Sequence, residues 1–388
     1  MSDLIPDEIL VKILKRLPTK SLIKFRSVSK SWNSLITSPN FINTHLTHSL
    51  TSNSYINSYD NLPLMIVRQC VSIPPRRTEH YKLCIDTEDS FDEYKDLEIP
   101  IKTRCLHFFH AIGYAKGLFC LFEQDRFFLW SPSIRKSMAI PKPTIKASFH
   151  RYGFGFDPRN NDYKVHGRNS SPVEITTGGF TSYLEGAVHF AAIMWNSNDP
   201  LILSFDLSDE VFQTMMLPNG MVGVSTEEMW TSVFGGLLSL LCYEDAAPNQ
   251  YVDLSGGITE VLGMRNNGHV LLEAKTTWDW VLSSYDPSNH QIKNLGIHVT
   301  GYHFVVDTFE ENLVLLSKPN DAFSRRQVSR KRKDRFWLCK TKLDNLKDSM
   351  DSKHDLVDDT ALKHGKESQT NTCMMHKHSC YTWLIFTK

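Results

Sequence analysis

Three stretches of this chain follow one plan, and that repetition limits the fold more than any other feature. GLFCLFEQDRFFLWSPSIRKSMAIP begins at Gly117, GAVHFAAIMWNSNDPLILSFDLSDEVFQTMMLP at Gly186 and GHVLLEAKTTWDWVLSSYDPSNHQIKNLGI at Gly268. In each, a glycine precedes an apolar strand and a polar turn follows. A second strand then ends in Ser131-Pro132, Asp206-Leu207 or Asp286-Pro287, and a third begins after the next turn. YGFGFDPRNNDYKV, from Tyr152 to Val165, repeats the strand-Asp-Pro-turn-strand part, and GLLSLLCY from Gly236 the glycine-strand part. Antiparallel units of this kind bury their faces only against neighbouring units, which is the plan of a propeller blade. A β-propeller is expected, with a β-sandwich as the alternative. Within it, Trp130 at a strand end is expected to pack between sheets, and Asp157 to accept hydrogen bonds from its own turn.

The first forty-odd residues have a different period. Pro6 opens a helix with Asp7 and Glu8 in its first turn and Lys15 and Arg16 near its end, matching the helix dipole. Ile9, Leu10, Ile13, Leu14 and Leu17 fall at helical spacing before Pro18. Thr19 or Ser21 can cap a second helix carrying Leu22, Ile23 and Phe25, and Ser29 a third carrying Trp32, Leu35 and Ile36 before Pro39. Three short helices cannot cover all these apolar side chains, so surplus apolar surface is expected to meet a partner.

The polar segment THSLTSNSYINSYDN (47–61) reads as a surface linker between a helical unit at 1–46 and a β region at 62–318, the two having separate cores. Residues 319–388 read as a basic and polar tail, largely disordered. Phe336-Trp337-Leu338 and the apolar run from Tyr381 to Phe386 are each able to supply an edge strand. Residues 325–335 (RRQVSRKRKDR) carry seven basic side chains. This run suits an import signal or a solvated tail, and lacks the interleaved aromatics that stacking on bases needs.

Lys+Arg number 43 against Asp+Glu 43, so attraction to nucleic acid or an anionic membrane must come from a local patch. Asp3, Asp7 and Glu8 argue against a secretory leader. The longest apolar stretch, Trp230 to Tyr243, is too short to span a bilayer. The eight cysteines sit mostly in apolar runs such as GLFCL, as reduced core thiols do. A reducing compartment, cytoplasm and/or nucleus, is expected. Cys373, His376, His378 and Cys380 are zinc-ligand types, but their spacing does not suit a structural zinc knuckle, and they read as coincidence. No G-x-S-x-G, H-E-x-x-H, P-loop or G-x-G-x-x-G that opens a helix occurs. No catalytic residue, metal site or cofactor is expected.

The segment LIPDEILVKILKRLPTKSLIKFRSVSKSWNSLITSPNF resembles the F-box. The matches are the Leu/Ile-Pro-Asp-Glu opening, Leu17-Pro18, Lys20-Ser21-Leu22, Phe25-Arg26-x-Val28, Lys30-Ser31-Trp32 and Ser38-Pro39, in that order. The resemblance implies docking to a Skp-type adaptor, and through it to a cullin, with Leu4, Pro6, Ile9, Leu10, Ile13, Leu17, Leu22, Val28 and Trp32 as the adaptor-binding residues. The β region resembles the kelch-like, F-box-associated interaction domain of the large plant family. It does so through Gly117-Leu118-Phe119-Cys120-Leu121, the stretch from Leu129 to Lys136, Tyr152 to Pro158 with Asp162 to Val165, and Ile202 to Asp206. Between Val165 and Gly186, and between Cys242 and Gly263, strands usual in that family are missing, so at least one blade is expected to be shortened.

The resemblance implies an α+β multidomain chain: a three-helix F-box, then an all-β, irregular kelch-like propeller and a disordered tail. It also implies a non-catalytic substrate receptor of a Skp-cullin-F-box ubiquitin ligase, holding an unidentified protein target. Two alternatives stay open: a propeller-fold enzyme of glycosidase or lyase type with an adaptor-binding helical unit, and a regulator that binds adaptor without recruiting a target.

Overall fold

Each glycine that opens a repeat does so because the turn before the strand needs a positive φ. In the computed structural model these values are 78° at Gly117, 87° at Gly186, 77° at Gly236 and 82° at Gly268. Lys116 and Glu185 precede the first two with φ of 45° and 47°, so these hairpins close through two-residue turns whose twist suits the strands. A side chain at Gly117 would also put a Cβ 2.4 Å from the Glu310 carbonyl oxygen. The structure describes residues 6–51, 64–73, 76–102, 108–141, 152–167, 173–175, 181–194, 199–217, 229–234, 236–242, 258–276, 279–289, 291–300, 304–317, 373–374 and 384–387.

The strands form successive antiparallel sheets. The first holds β1 (Leu64–Ile73), β2 (Arg76–Asp86) and β3 (Phe91–Leu97). The second holds β4 (His110–Ala115), β5 (Leu118–Glu123), β6 (Arg126–Ser131) and β7 (Lys136–Ile140), and the third, among the described residues, β8 (Tyr152–Asp157) and β9 (Asp162–Gly167). In the fourth, β10 (Val173–Ile175) and β11 (Ser182–Leu184) pair along one edge of β12 (Ala187–Met194), followed by β13 (Pro200–Asp206) and β14 (Val211–Met216). The fifth contains β15 (Met229–Phe234) and β16 (Leu237–Cys242), and the sixth β17 (Ile258–Met264), β18 (Val270–Lys275), β19 (Trp280–Asp286) and β20 (Gln291–Val299).

Shared cores join these sheets in sequence. Leu64, Ile66, Tyr81 and Leu83 of the first pack with Tyr114, Phe119, Phe128 and Trp130 of the second. Leu118, Cys120 and Leu129 meet Tyr152, Phe154 and Tyr163 of the third. The Tyr183 hydroxyl donates to the Phe156 carbonyl at 2.9 Å, and Ala191 and Ile202 meet Met229 and Leu238 of the fifth. Met65, Val67 and Cys84 pack with Leu271, Leu282 and Val299 of the sixth. The ring closes through β21 (Val305–Thr308), which pairs with β1 from Met65↔Thr308 to Arg68↔Val305. A strand from the far end of the domain thus removes an edge of the first sheet, as propeller closure requires. The chain is therefore a β-propeller preceded by helices, and the stretch between Val165 and Gly186, where strands were expected to be missing, holds β10 and β11.

Two segments of the tail complete the fifth sheet: β23 (Leu384–Thr387) pairs with β16 from Leu238↔Thr387 to Leu240↔Ile385, and β22 (Cys373–Met374) pairs with β23. The run from Tyr381 to Phe386 thus contributes to a strand that is not at an edge. The basic run at 325–335, the segment at 336–338 and His376, His378 and Cys380 lie outside the described residues.

The helical unit departs from expectation in two ways. Besides α1 (Asp7–Leu14), α2 (Thr19–Phe25) and α3 (Lys30–Thr37), it has a fourth helix, α4 (Pro39–Thr51), running into the expected linker. Ser38-Pro39 begins that helix: the Phe41 amide donates to Ser38 Oγ at 3.2 Å, and Pro39 occupies the first turn, where its missing N–H costs nothing. Nor is the unit's core separate. Leu10, Leu14, Leu22, Ile36, Phe41 and Ile42 share a cluster with Leu313, and Ile134, Val314 and Leu316 pack against it. Leu46 belongs to the core between the second and third sheets. The Thr19 amide, at the start of α2, donates to Glu311 Oε2 at 2.8 Å. The segment 311–317, ending in a 3-10 turn (Val314–Ser317), therefore fastens helices to propeller.

Buried groups make the fold pH-sensitive. His189 in β12 has its Nδ1 2.7 Å from Ser204 Oγ, and burial, partly offset by a hydrogen bond to the Leu184 backbone, lowers its pKa to about 4. The unfolded chain takes up this proton near pH 6.5 while the folded chain excludes it to about pH 4. Stability present above pH 6.5 should therefore be lost as pH falls through that window, on the order of 3 kcal/mol from this group. Urea unfolding across pH 7 to about 4.5 checks it, and His189→Gln should flatten the decline; an equal slope in that variant would refute the assignment. Among the described cysteines, Cys70, Cys84 and Cys120 are free and buried, and burial raises the thiol pKa to about 11 at Cys70 and about 12 at Cys84. Among the described residues no helix is long and apolar enough to cross a membrane.

Candidate docking surface

Of the large apolar side chains exposed among the described residues, three lie in the helical unit: Ile9 (44% exposed), Ile13 (49%) and Val28 (61%). Ile9 and Ile13 are four apart on α1 and stand one above the other on a single face. Leu10 and Leu14, one position along, form the adjoining row and turn into the core. The apolar stripe thus divides into a row that holds the unit together and a row that faces water. Val28 lies between α2 and α3, where Ser29 caps α3 by accepting from the Trp32 amide at 3.1 Å. Trp32 is half-buried, edge-on to Phe25 at 5.6 Å between centroids, and Leu17 is also half-buried. Pro6 is exposed at the start of α1.

The nine residues expected at this surface therefore separate. Pro6, Ile9, Ile13 and Val28 are exposed, and Leu17 and Trp32 partly so. Leu10 and Leu22 are both buried in one cluster with Leu14, Ile36, Phe41 and Leu313. Leu4 lies outside the described residues. Sequence periodicity missed Leu313 as the partner of the inner row, because it lies far along the chain in an irregular segment.

Elsewhere the exposed large apolar residues are Tyr94 on β3 and Val211, Met215 and Met216 on β14. Buried carboxylates among the described residues have structural partners. Asp86 binds Arg265 at 2.8 Å, Asp157 binds Lys164 at 2.9 Å, and Glu273 accepts the Phe304 amide at 3.1 Å. Asp307 on β21 is exposed and accepts the Thr308 amide at 2.7 Å, and Glu310 is 3.4 Å from Lys116. No group of three or more potential metal ligands occurs among the described residues. The surface presents the exposed apolar side chains of Ile9, Ile13 and Val28.

Comparison with known proteins bears on both parts. Residues 3–44 match the F-box domain family, and residues 69–175 match the family described as F-box associated beta propeller domain. A putative F-box protein of Arabidopsis thaliana is 26% identical over 243 residues, covering 55% of this chain; this chain spans only 59% of that relative's length. A second Arabidopsis F-box protein is 27% identical over 368 residues, covering 76% of this chain and 85% of its own length. Among solved structures, TolB from Acinetobacter baumannii aligns over 65% of this chain and 58% of its own at 11% identity and a TM-score of 0.29, too slight a likeness to bear on the fold.

Proposed function

We propose, from the premise that this chain is a plant-type F-box protein with an F-box-associated β-propeller domain, that it is the substrate-recognition subunit of a Skp-cullin-F-box ubiquitin ligase. The observation that carries this reading is the outward row Ile9–Ile13 on α1, supported by an inner row that is already satisfied. Pro6, Ile9, Ile13 and Val28, flanked by Leu17 and Trp32, receive the Skp-type adaptor, and the cullin follows through it. The propeller holds a protein target. The chain acts without a catalytic residue or cofactor of its own: it keeps adaptor and target together, raising the effective concentration of the target's lysines near the conjugated ubiquitin. It works in the cytoplasm and/or nucleus, where reduced buried thiols persist.

Ile13→Asp places a charge on the docked face, where it would be buried without a partner at a cost of several kcal/mol. Co-purification with a Skp-type adaptor should fall at least about tenfold, with thermal melting of the isolated chain unchanged because Ile13 is exposed. Undiminished co-purification would sink the reading. Ile13→Asp should also slow turnover of captured targets without weakening their capture, because the exposed side chain supports neither core; an enzyme acting alone would not show this dependence.

A further inference from the structure

Around the ring, β4, β8, β12, β15, β17 and β21 touch in succession. The opposite end of a sheet is therefore an outer edge, and β3, β7, β14 and β20 lie at such edges. An edge strand can pair with another chain unless charges, bulges or covering segments prevent it. Three of the four are protected in this way. β3 carries Asp92, Glu93, Lys95 and Asp96, and its register with β2 shifts between Leu83 and Cys84. β7 carries Lys136, whose Nζ donates to the Leu316 carbonyl at 3.4 Å, so the segment that fastens the helices reaches this edge as well. β20 carries Lys293, and its register with β19 shifts between Val281 and Ser283.

β14 has none of these devices. Its sequence, VFQTMM, contains no charge, proline or glycine, and its register with β13 runs unbroken from Leu201↔Met216 to Asp206↔Val211. On its other side no strand among the described residues pairs with it, so alternate N–H and C=O groups point outward. Val211, Gln213, Thr214, Met215 and Met216 are all exposed. Phe212 holds the strand in place, its ring 4.8 Å from that of Phe205 and 5.1 Å from that of His166. The acidic residues just before the strand are engaged: Arg159 donates to Asp209 at 3.1 Å, and Lys164 lies 3.3 Å from Glu210.

The order of these residues says what fits the edge. A strand that pairs with its own copy about a two-fold axis does so antiparallel, with the axis normal to the sheet, so each residue faces one an even number of positions away. With the axis at Gln213, Val211 faces the copy's Met215; with the axis at Thr214, Phe212 faces the copy's Met216. In both registers apolar meets apolar, and the central polar residue meets itself as a Gln–Gln or Thr–Thr pair that can hydrogen-bond across the strands. An uncharged edge neither repels its copy nor selects a charged partner. We propose that β14 is a dimerisation edge, on which a second copy of this chain pairs antiparallel and joins two fourth sheets into one. Six residues a side make a small interface, so the pair is weak and depends on concentration. The inference does not rest on the receptor reading, since the helical core takes no residue from the fourth sheet.

Sedimentation velocity of the full-length chain from about 1 to about 300 μM should show monomer passing into dimer. Gln213→Lys combined with Thr214→Lys sets ammonium groups against their own copies in either register and should weaken association at least about tenfold. Its melting temperature should stay unchanged, because both side chains are exposed. Gln213→Glu combined with Thr214→Glu should behave alike, and an equal mixture of the two variants should recover the dimer, since opposite charges then face each other. Tyr94→Lys, on β3, should leave association as it is. Should the charged variants misfold, hydrogen exchange of the parent chain still decides: the β14 amides should exchange more slowly as concentration rises. A monomer at every concentration would overturn the proposal, as would a dimer of equal strength in the lysine variant or a mixture no stronger than either variant alone. Amides of β14 protected at every concentration would give the edge to another segment of the same chain, and protection only on adding a Skp-type adaptor would give it to that adaptor; either result overturns the proposal. Adaptor co-purification should survive all of these substitutions, and its loss in Ile13→Asp alone keeps the two readings separable.

Discussion

Asp157→Ala is expected to lower the unfolding free energy by about 3–5 kcal/mol, well beyond the ~1 kcal/mol of a lost turn hydrogen bond. The turn accounts for part of its role: its Oδ1 accepts from the Arg159 amide at 3.0 Å and the Asn160 amide at 3.2 Å. Asp157 is also fully buried, is bound by Ser208 Oγ from the next sheet, and lies 2.9 Å from Lys164 Nζ, itself buried. Burial alone would push its carboxyl up, but hydrogen bonds from Asn160, Ser208 and Lys164 outweigh that and hold it well below the usual carboxylate range. Removing the carboxylate leaves a buried ammonium with only Glu210, at 3.3 Å, and the Leu207 carbonyl. Urea denaturation measures the loss, and Asp157→Ala combined with Lys164→Met should recover part of it, because no unpaired charge remains. If the single variant lost only ~1 kcal/mol, the ion pair would contribute nothing beyond the turn.

Trp130→Ala should also cost about 3–5 kcal/mol, because the surrounding core cannot collapse into the space. Trp130 is fully buried on β6, edge-on to Tyr81 of the first sheet at 4.7 Å and stacked on Phe119 at 5.5 Å. Its cluster includes Phe309, four residues before Leu313 in the helical core. Helices and propeller should therefore unfold together. The helical signal at 222 nm and the near-ultraviolet aromatic signal of the variant should fall in one shifted transition. Two separated transitions, with the helical one unmoved, would show that the segment 309–317 does not couple the cores.

The blade plan was legible in the sequence because its determinants act locally. Gly117, Gly186, Gly236 and Gly268 mark turns whose positive φ any β-hairpin of that shape needs. Asp157, Asp206 and Asp286 end strands by accepting amides two residues on, at 3.0, 2.8 and 2.9 Å. The F-box pattern was legible for the same reason, since helical spacing and caps are set within a few residues. Ser38-Pro39 was readable in two directions: Pro39 ends one helix and starts another, and only the packing of Phe41 and Ile42 decides between them.

What only the tertiary structure decided involves partners far apart in the chain. On α1, periodicity shows that residues 9, 10, 13, 14 and 17 are apolar, but both rows of the stripe obey the same spacing. Leu313 claims Leu10 and Leu14, which leaves Ile9 and Ile13 to solvent and to a partner. Closure of the ring by β21 and completion of the fifth sheet by β23 likewise join residues with no local relation. A local pattern can specify a strand, a turn or a helix face, because the groups that stabilise it are neighbours in sequence. Which face is covered is a competition for burial among distant segments, and that is settled only when the whole chain packs.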